Sequence, residues 1–189
     1  RGQKWQNSAA VLDTHRWKWS SLKVAGDAPR PRSYHSANII HRGAGKDWIV
    51  IFGGNDAKNC FNTVHVLEMT PKGQCCWIHP LVSGEIPAPR TGHASTLLKD
   101  GTTILIHGGW DPTDDDEDDS TVFFRDSFLL DTTTWTWTKT STQTELGRVG
   151  HGAVHHAGSV QVFGGRLSTE DMTNDWLTIH QDATTAGTP

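Results

Sequence analysis

Apolar residues gather in three short runs along the chain, WIVIF at 48–52, TILIH at 103–107 and SVQVF at 159–163, and each run closes on a pair of glycines. Short continuous or alternating stretches rich in Val, Ile and Phe, bounded by turn residues, predict β-strands. No stretch carries a convincing helical period. After each glycine pair a polar loop leads to a second apolar stretch, at 63–68, 126–130 and 175–179, which predicts another strand. A further strand is expected to carry Trp77 in the first unit and Trp137 in the second.

The polar residues between the runs repeat as well. Arg32 and His35 lead to Gly53, Gly54 and Trp77, Arg90 and His93 lead to Gly108, Gly109 and Trp137, and Arg148 and His151 lead to Gly164 and Gly165. His35, His93 and His151 stand 58 residues apart in both steps. A fixed period of tens of residues implies one supersecondary unit stacked on copies of itself. Residues 7–22 align with 125–140, placing Asp13 on Asp131, Trp17 on Trp135 and Trp19 on Trp137.

This recurrence resembles the kelch repeat, whose period is about 50 residues, and the resemblance runs over most of the chain. It implies an all-β fold, a partial kelch-type β-propeller of about three to three and a half blades, each a four-stranded antiparallel sheet. On that reading residues 1–22 supply the outer strands of a preceding blade, 28–81 and 86–140 are complete blades, 147–180 is an incomplete one and 181–189 is a tail.

The repeated residues read as structural. A glycine pair at a strand end supplies positive φ and lets another backbone come close; a phosphate-cradling loop would be followed by a helix, whereas polar loop and strand follow here. Trp19, Trp77 and Trp137 recur in phase, as rings filling the space between neighbouring sheets would. His35, His93 and His151 are expected to tie strand starts to neighbouring backbone through a ring nitrogen.

Composition narrows the classes further. The formal charge is −4, no run of 18 apolar residues occurs, and nothing resembles a signal peptide. A soluble domain is expected, with neither a membrane nor nucleic acid as partner, the latter because there is no basic stripe. The 3 cysteines lack C-x-x-C spacing, and there is no N-x-S/T sequon, which points to an intracellular, cytoplasmic setting rather than a disulfide framework. The chain opens on Arg1. With only half a ring's worth of repeats, a fragment of a longer chain is expected, or completion of the ring by a second chain, since open sheet edges invite aggregation.

Seven of the 21 acidic residues crowd into one loop: Asp111, Asp114, Asp115, Asp116, Glu117, Asp118 and Asp119. Like charges repel, so a solvated loop over 113–121 is expected, with a basic partner segment or a loose divalent-cation site as the alternatives. In kelch proteins the loops from second to third strand and those between blades share a face that binds partner proteins. By resemblance that face comprises 55–62, 110–125 and 166–174 with 24–32, 82–90 and 141–148, and the candidate partner-binding residues are Arg30, Arg32, Arg90, Arg148, Trp110, Asp111, Asp114, Asp115, Asp116 and Arg166. Pro29, Pro31, Pro87 and Pro89 stiffen two linkers, whereas Gly147 stands where Pro31 and Pro89 stand.

No catalytic motif is present, and no catalytic residue, cofactor or metal is assigned. Galactose oxidase shares a kelch-like propeller but needs two Tyr copper ligands, against the single Tyr34 here. The function expected is a protein-interaction module of a larger scaffold or substrate-recognition protein. The alternative is a propeller supporting a metal-dependent enzyme or oxidase centre supplied elsewhere in the full-length chain.

Overall fold

A computed structural model of the chain describes residues 4–113 and 122–180; Asp114, Asp115 and Asp116, most of the acidic loop and the tail at 181–189 lie outside the described residues. Among the described residues there is no helix, and fifteen strands form four separate sheets. The first sheet is a hairpin of β1 (Ala9–Asp13) and β2 (Lys18–Leu22). The second runs β3 (Val24–Ala25), β7 (Cys75–Ile78), β6 (Val64–Met69), β5 (Asp47–Phe52), β4 (Ser36–His41). The third repeats that order with β8 (Ser83–Gly84), β12 (Thr136–Lys139), β11 (Ser127–Asp131), β10 (Thr103–His107) and β9 (Ala94–Leu97). The fourth holds β13 (Gly152–His156), β14 (Ser159–Phe163) and β15 (Trp176–His180). The innermost strands neighbour one another in turn, β4 beside β9 and β9 beside β13. The architecture is that of a partial kelch β-propeller.

Both faces of the third sheet are covered, and the second is covered fully on one face and partly, by the hairpin, on the other, so their central strands read as continuous apolar runs. In β10, Ile104 and Ile106 join Ile40, Val50, Phe52, Val64, Val66, Phe128, Leu130 and Trp137 in the seam between the second and third sheets, while Leu105 turns to the other face with Leu98, Val160, Val162 and Ile179. Successive strand residues point to opposite faces, which is why TILIH has no polar alternation. The third strands lie one residue further on than the apolar pattern suggests; in the second and third sheets the residue just before the strand, Thr63 or Asp126, instead meets the buried arginine described below.

Two strands were not legible in the pattern. Val24–Ala25 and Ser83–Gly84, read as linker, pair in parallel with β7 and β12 and add a fifth strand to the outer edge of each complete sheet. Each linker is thus fastened to the outermost antiparallel strand of the blade it leads into.

The three in-phase tryptophans are not equivalent. Trp137 is buried, 4.9 Å from Phe52 of the preceding sheet. Trp77 is only half-buried, facing the two-stranded hairpin, and Trp19 is 66 % exposed, with no sheet on its side among the described residues. Burial follows from how much sheet lies opposite each ring. Trp17 and Trp135 share a positive φ, 51° and 58°, and the turns that end on them are capped alike by Asp13 and Asp131, which is the structural content of the 7–22 alignment.

Candidate functional site

Each blade is locked to the next at its inner end, and the repeated Arg, His and Gly residues make the lock. Arg90 is fully buried; its Nη1 donates to the carbonyl of Gly108 at 3.0 Å and to Asp126 at 2.8 Å, and its guanidinium lies over Phe124 and Phe128. Arg32 donates likewise to the Gly53 carbonyl and lies over Phe61, and Arg148 donates to the Gly164 carbonyl. Desolvation by burial, with Arg30 nearby, lowers the Arg32 pKa to about 10. The expectation that Arg32, Arg90 and Arg148 offer donors to a partner is therefore corrected: their guanidinium groups are buried inside their own blades and spent on backbone carbonyls.

The first glycine of the first two pairs is needed by the following blade. A Cβ on Gly53 would stand 2.7 Å from the Arg90 carbonyl and from His93 Cε1, and one on Gly108 would meet Arg148 and His151 at the same distances. Across the same contact Gly54 N–H donates to Arg90 O at 2.9 Å and Gly109 N–H to Arg148 O at 2.8 Å. The histidines differ from expectation in what they bind. His93 Nε2 pairs with the hydroxyl of Ser36 in the preceding blade, and weaker backbone contacts to Arg90 for His93 and to His107 for His151 partly oppose the effect of burial on the two rings. His35 is exposed, for it has no preceding glycine pair to rest on among the described residues.

One substitution pattern sets the seam between the third and fourth sheets apart. Where Phe52 meets His93 edge-on at 5.3 Å, His107 meets His151 at the same distance. Ala94 replaces Ser36, and Ser127, which pairs with His107 Nδ1 at 3.0 Å, replaces Val64. Burial holds all three imidazoles below their ordinary value: His93 and His151 to about 3, and His107 to about 4, with Arg90 adding to the effect on His93, and His107 and Arg148 on His151.

Around the axis the residue before each repeat histidine has a positive φ: Tyr34 (54°), Gly92 (63°) and Gly150 (70°). Gly92 N–H donates to Tyr34 O and Gly150 N–H to Gly92 O, so the three form a collar. Just outside it, the start of each loop is pinned twice: Asn55 bridges Ser33 and Cys60, Trp110 bridges Thr91 and Phe123, and Arg166 bridges Val149 and Met172. Collar and loop roots together enclose a cleft of about 570 Å³ whose apolar side chains include Tyr34, Trp110, Phe123, Val149 and Met172. Tyr34 is 74 % exposed and Met172 76 %.

Of the candidate residues, the structure brings Trp110 and Arg166 together on this cleft. Arg166 is exposed and donates to its own loop at the Thr169 carbonyl. Arg30 stands apart, 3.7 Å from Asp56. Asp111 caps Thr113 through Oδ1. Tyr34, Thr91 and Val149 escaped the sequence reading; the signal for Tyr34 was that glycine holds the same place in the other two units. Gly147 is explained by space, since the Phe123 carbonyl occupies the position of its absent Cβ. Among the described residues no three His, Cys, Asp or Glu side chains gather as a metal centre would require. No helix there is long and apolar enough to cross a membrane.

A lock of buried Arg on Gly–Gly carbonyls, repeated from blade to blade, defines a kelch propeller. The profile of the KLHDC2/KLHL20/DRC7 Kelch-repeats domain matches residues 1–165, and the chain belongs to the kelch-repeat family. It is 33 % identical over 105 residues to acyl-CoA-binding domain-containing protein 4 of Arabidopsis thaliana, covering 56 % of this chain and 14 % of that protein. It is 31 % identical over 127 residues to the Rab9 effector protein with kelch motifs of Xenopus laevis (66 % and 30 %), and 29 % identical over 179 residues to host cell factor of Drosophila melanogaster (86 % and 12 %). The chain thus spans less than a third of the length of each of these relatives.

Proposed function

We propose that this chain is a protein-interaction module that takes a segment of another protein into the cleft at the inner end of the blades. The carrying observation is Tyr34. A bulky residue is held at φ 54° where the other units use glycine, and its ring stays exposed over the cleft rather than packing beneath it. A non-glycine residue in that region costs of order 1 kcal/mol, a cost that burial inside the chain does not offset. Beside it, Met172 adds an adaptable apolar contact and Arg166 a cationic rim. Trp110 and Asp111 belong to the same proposed surface, and Arg30 to its periphery.

The kelch motifs in the name of the Rab9 effector fit this reading, since an effector acts by binding. The open faces at β1 and β15 support the further proposal that the ring is completed by more of the same protein or by a second chain. Three free cysteines, Cys60, Cys75 and Cys76, fit an intracellular setting. The test is selection from a displayed peptide library against the chain, followed by binding of the enriched peptides to Tyr34→Gly, Met172→Ser and Arg166→Ala. Binding should fall at least tenfold in the first two with unchanged melting. Peptides that bind these variants as tightly as the parent would overturn the assignment of the cleft.

A further inference from the structure

The axial cleft is short of hydrogen-bond acceptors. On its walls the carbonyls of Tyr34, Thr91, Gly92, Trp110, Val149 and Arg166 already accept from backbone N–H groups of the collar and the loop roots. Asn55 Oδ1 is likewise taken by the Thr91 hydroxyl, and Thr173 Oγ1 by the N–H of Asp175. Donors, in contrast, are left over. Trp110 Nε1 and the Tyr34 hydroxyl have no hydrogen-bond partner among the described residues, and Arg166 holds N–H groups beyond the one that meets the Thr169 carbonyl. An indole and a guanidinium can only donate. An ordinary peptide laid here would find partners for its carbonyls and strand its own N–H groups, which is costly in an apolar setting. Proline has no N–H to strand.

Charge narrows the partner further. The three loops between the bridge partners, 55 to 60, 110 to 123 and 166 to 172, carry ten acidic residues against two basic ones, Lys58 and Arg166, in a chain whose formal charge is −4. The negative charge is thus gathered on loops rooted at the mouth of the cleft, and the rest of the chain is net positive. We infer that the partner is a proline-rich segment in the polyproline II conformation, flanked by Lys or Arg; this rests on the reading of the cleft as a peptide site. The rings of Tyr34, Trp110 and Phe123 supply the aromatic walls on which such segments dock, and Trp110 and Tyr34 donate to the segment's carbonyls. A segment that is extended beforehand loses little entropy on binding. Its basic flanks answer the negative loops and act mainly on the rate of encounter.

An unbiased displayed peptide library selected on the chain should enrich sequences with prolines set between Lys or Arg residues. Replacing those prolines by alanine should weaken binding at least tenfold, and replacing them by N-methylalanine, which also lacks an N–H, should weaken it far less. Exchanging the flanking cations for Ser should slow association, as should added salt with the parent peptide. Trp110→Phe and Tyr34→Phe each delete one donor and keep an aromatic ring; each should weaken binding about fivefold with unchanged melting. Enriched peptides that lose affinity in Tyr34→Gly but lack prolines or carry acidic flanks, or N-methylalanine peptides as weak as the alanine ones, would refute the proline-rich partner and leave the cleft standing. No enrichment, or enriched peptides indifferent to Tyr34→Gly, would refute the cleft itself and this inference with it.

Discussion

Three histidines buried at blade seams make the fold acid-sensitive in a calculable way. His93, His107 and His151 are 7 %, 0 % and 8 % exposed, and burial holds their pKa values at about 3, 4 and 3. Unfolding returns each to about 6.5. The folded state therefore binds fewer protons, and the stability these groups contribute is complete above pH 6.5 and is lost as the pH falls through 6.5 toward 4. Each pH unit below 6.5 costs about 1.4 kcal/mol per histidine; between pH 7 and 5.5 this amounts to about 1 kcal/mol each, and about 3 to 4 kcal/mol for the three. That is a large fraction of the 5–15 kcal/mol available to a typical domain (roughly). Thermal and urea melts of the chain at pH 7.5, 6.5 and 5.5 should show this decline. The double variant His107→Phe/Ser127→Val, which installs the Phe52–Val64 pair of the neighbouring blade, should remove about a quarter of the slope, because His65, held at about 4 by burial and Arg32, contributes as well. Stability that is flat from pH 7 to 5.5, or a slope unchanged in the double variant, would refute the assignment of neutral buried imidazoles.

Two further outcomes follow from the packing. Trp137→Ala should cost about 3–5 kcal/mol, Trp77→Ala about half as much, and Trp19→Ala little, in proportion to the sheet opposite each ring; equal costs in urea melts would contradict the seam description. Gly108→Ala places a Cβ 2.7 Å from Arg148 O at φ 65° and should destabilise by at least about 2 kcal/mol, whereas Gly152→Ala, with nothing within 4 Å, should be nearly neutral.

The period of the Arg, His and Gly residues carried most of the fold, because those residues sit where one blade touches the next and cannot vary without breaking the contact. The outer parallel strands were hidden, since two residues paired along one edge leave no hydrophobic alternation behind. The role of the arginines was misread for a physical reason. A guanidinium can serve a partner or a carbonyl of its own chain equally well, and only burial distinguishes the two. The cleft was partly legible through Trp110 and Arg166, but Tyr34 does its work through a backbone angle, and one sequence displays that only as an aromatic residue in a glycine's place.

The double bridging of Asn55, Trp110 and Arg166 bears on how such a protein can change over time. Each of these residues is tied on one side to the start of its own blade and on the other to the far root of its loop, so the two roots stay in register whatever lies between them. Lengthening a closed loop is cheap, about 0.6 kcal/mol per doubling. The second unit already spans a longer interval between bridge partners than the other two, 110 to 123 against 55 to 60 and 166 to 172. The three intervals therefore behave as interchangeable cassettes at the mouth of the cleft, through which new recognition sequences can be exchanged without renegotiating the ring.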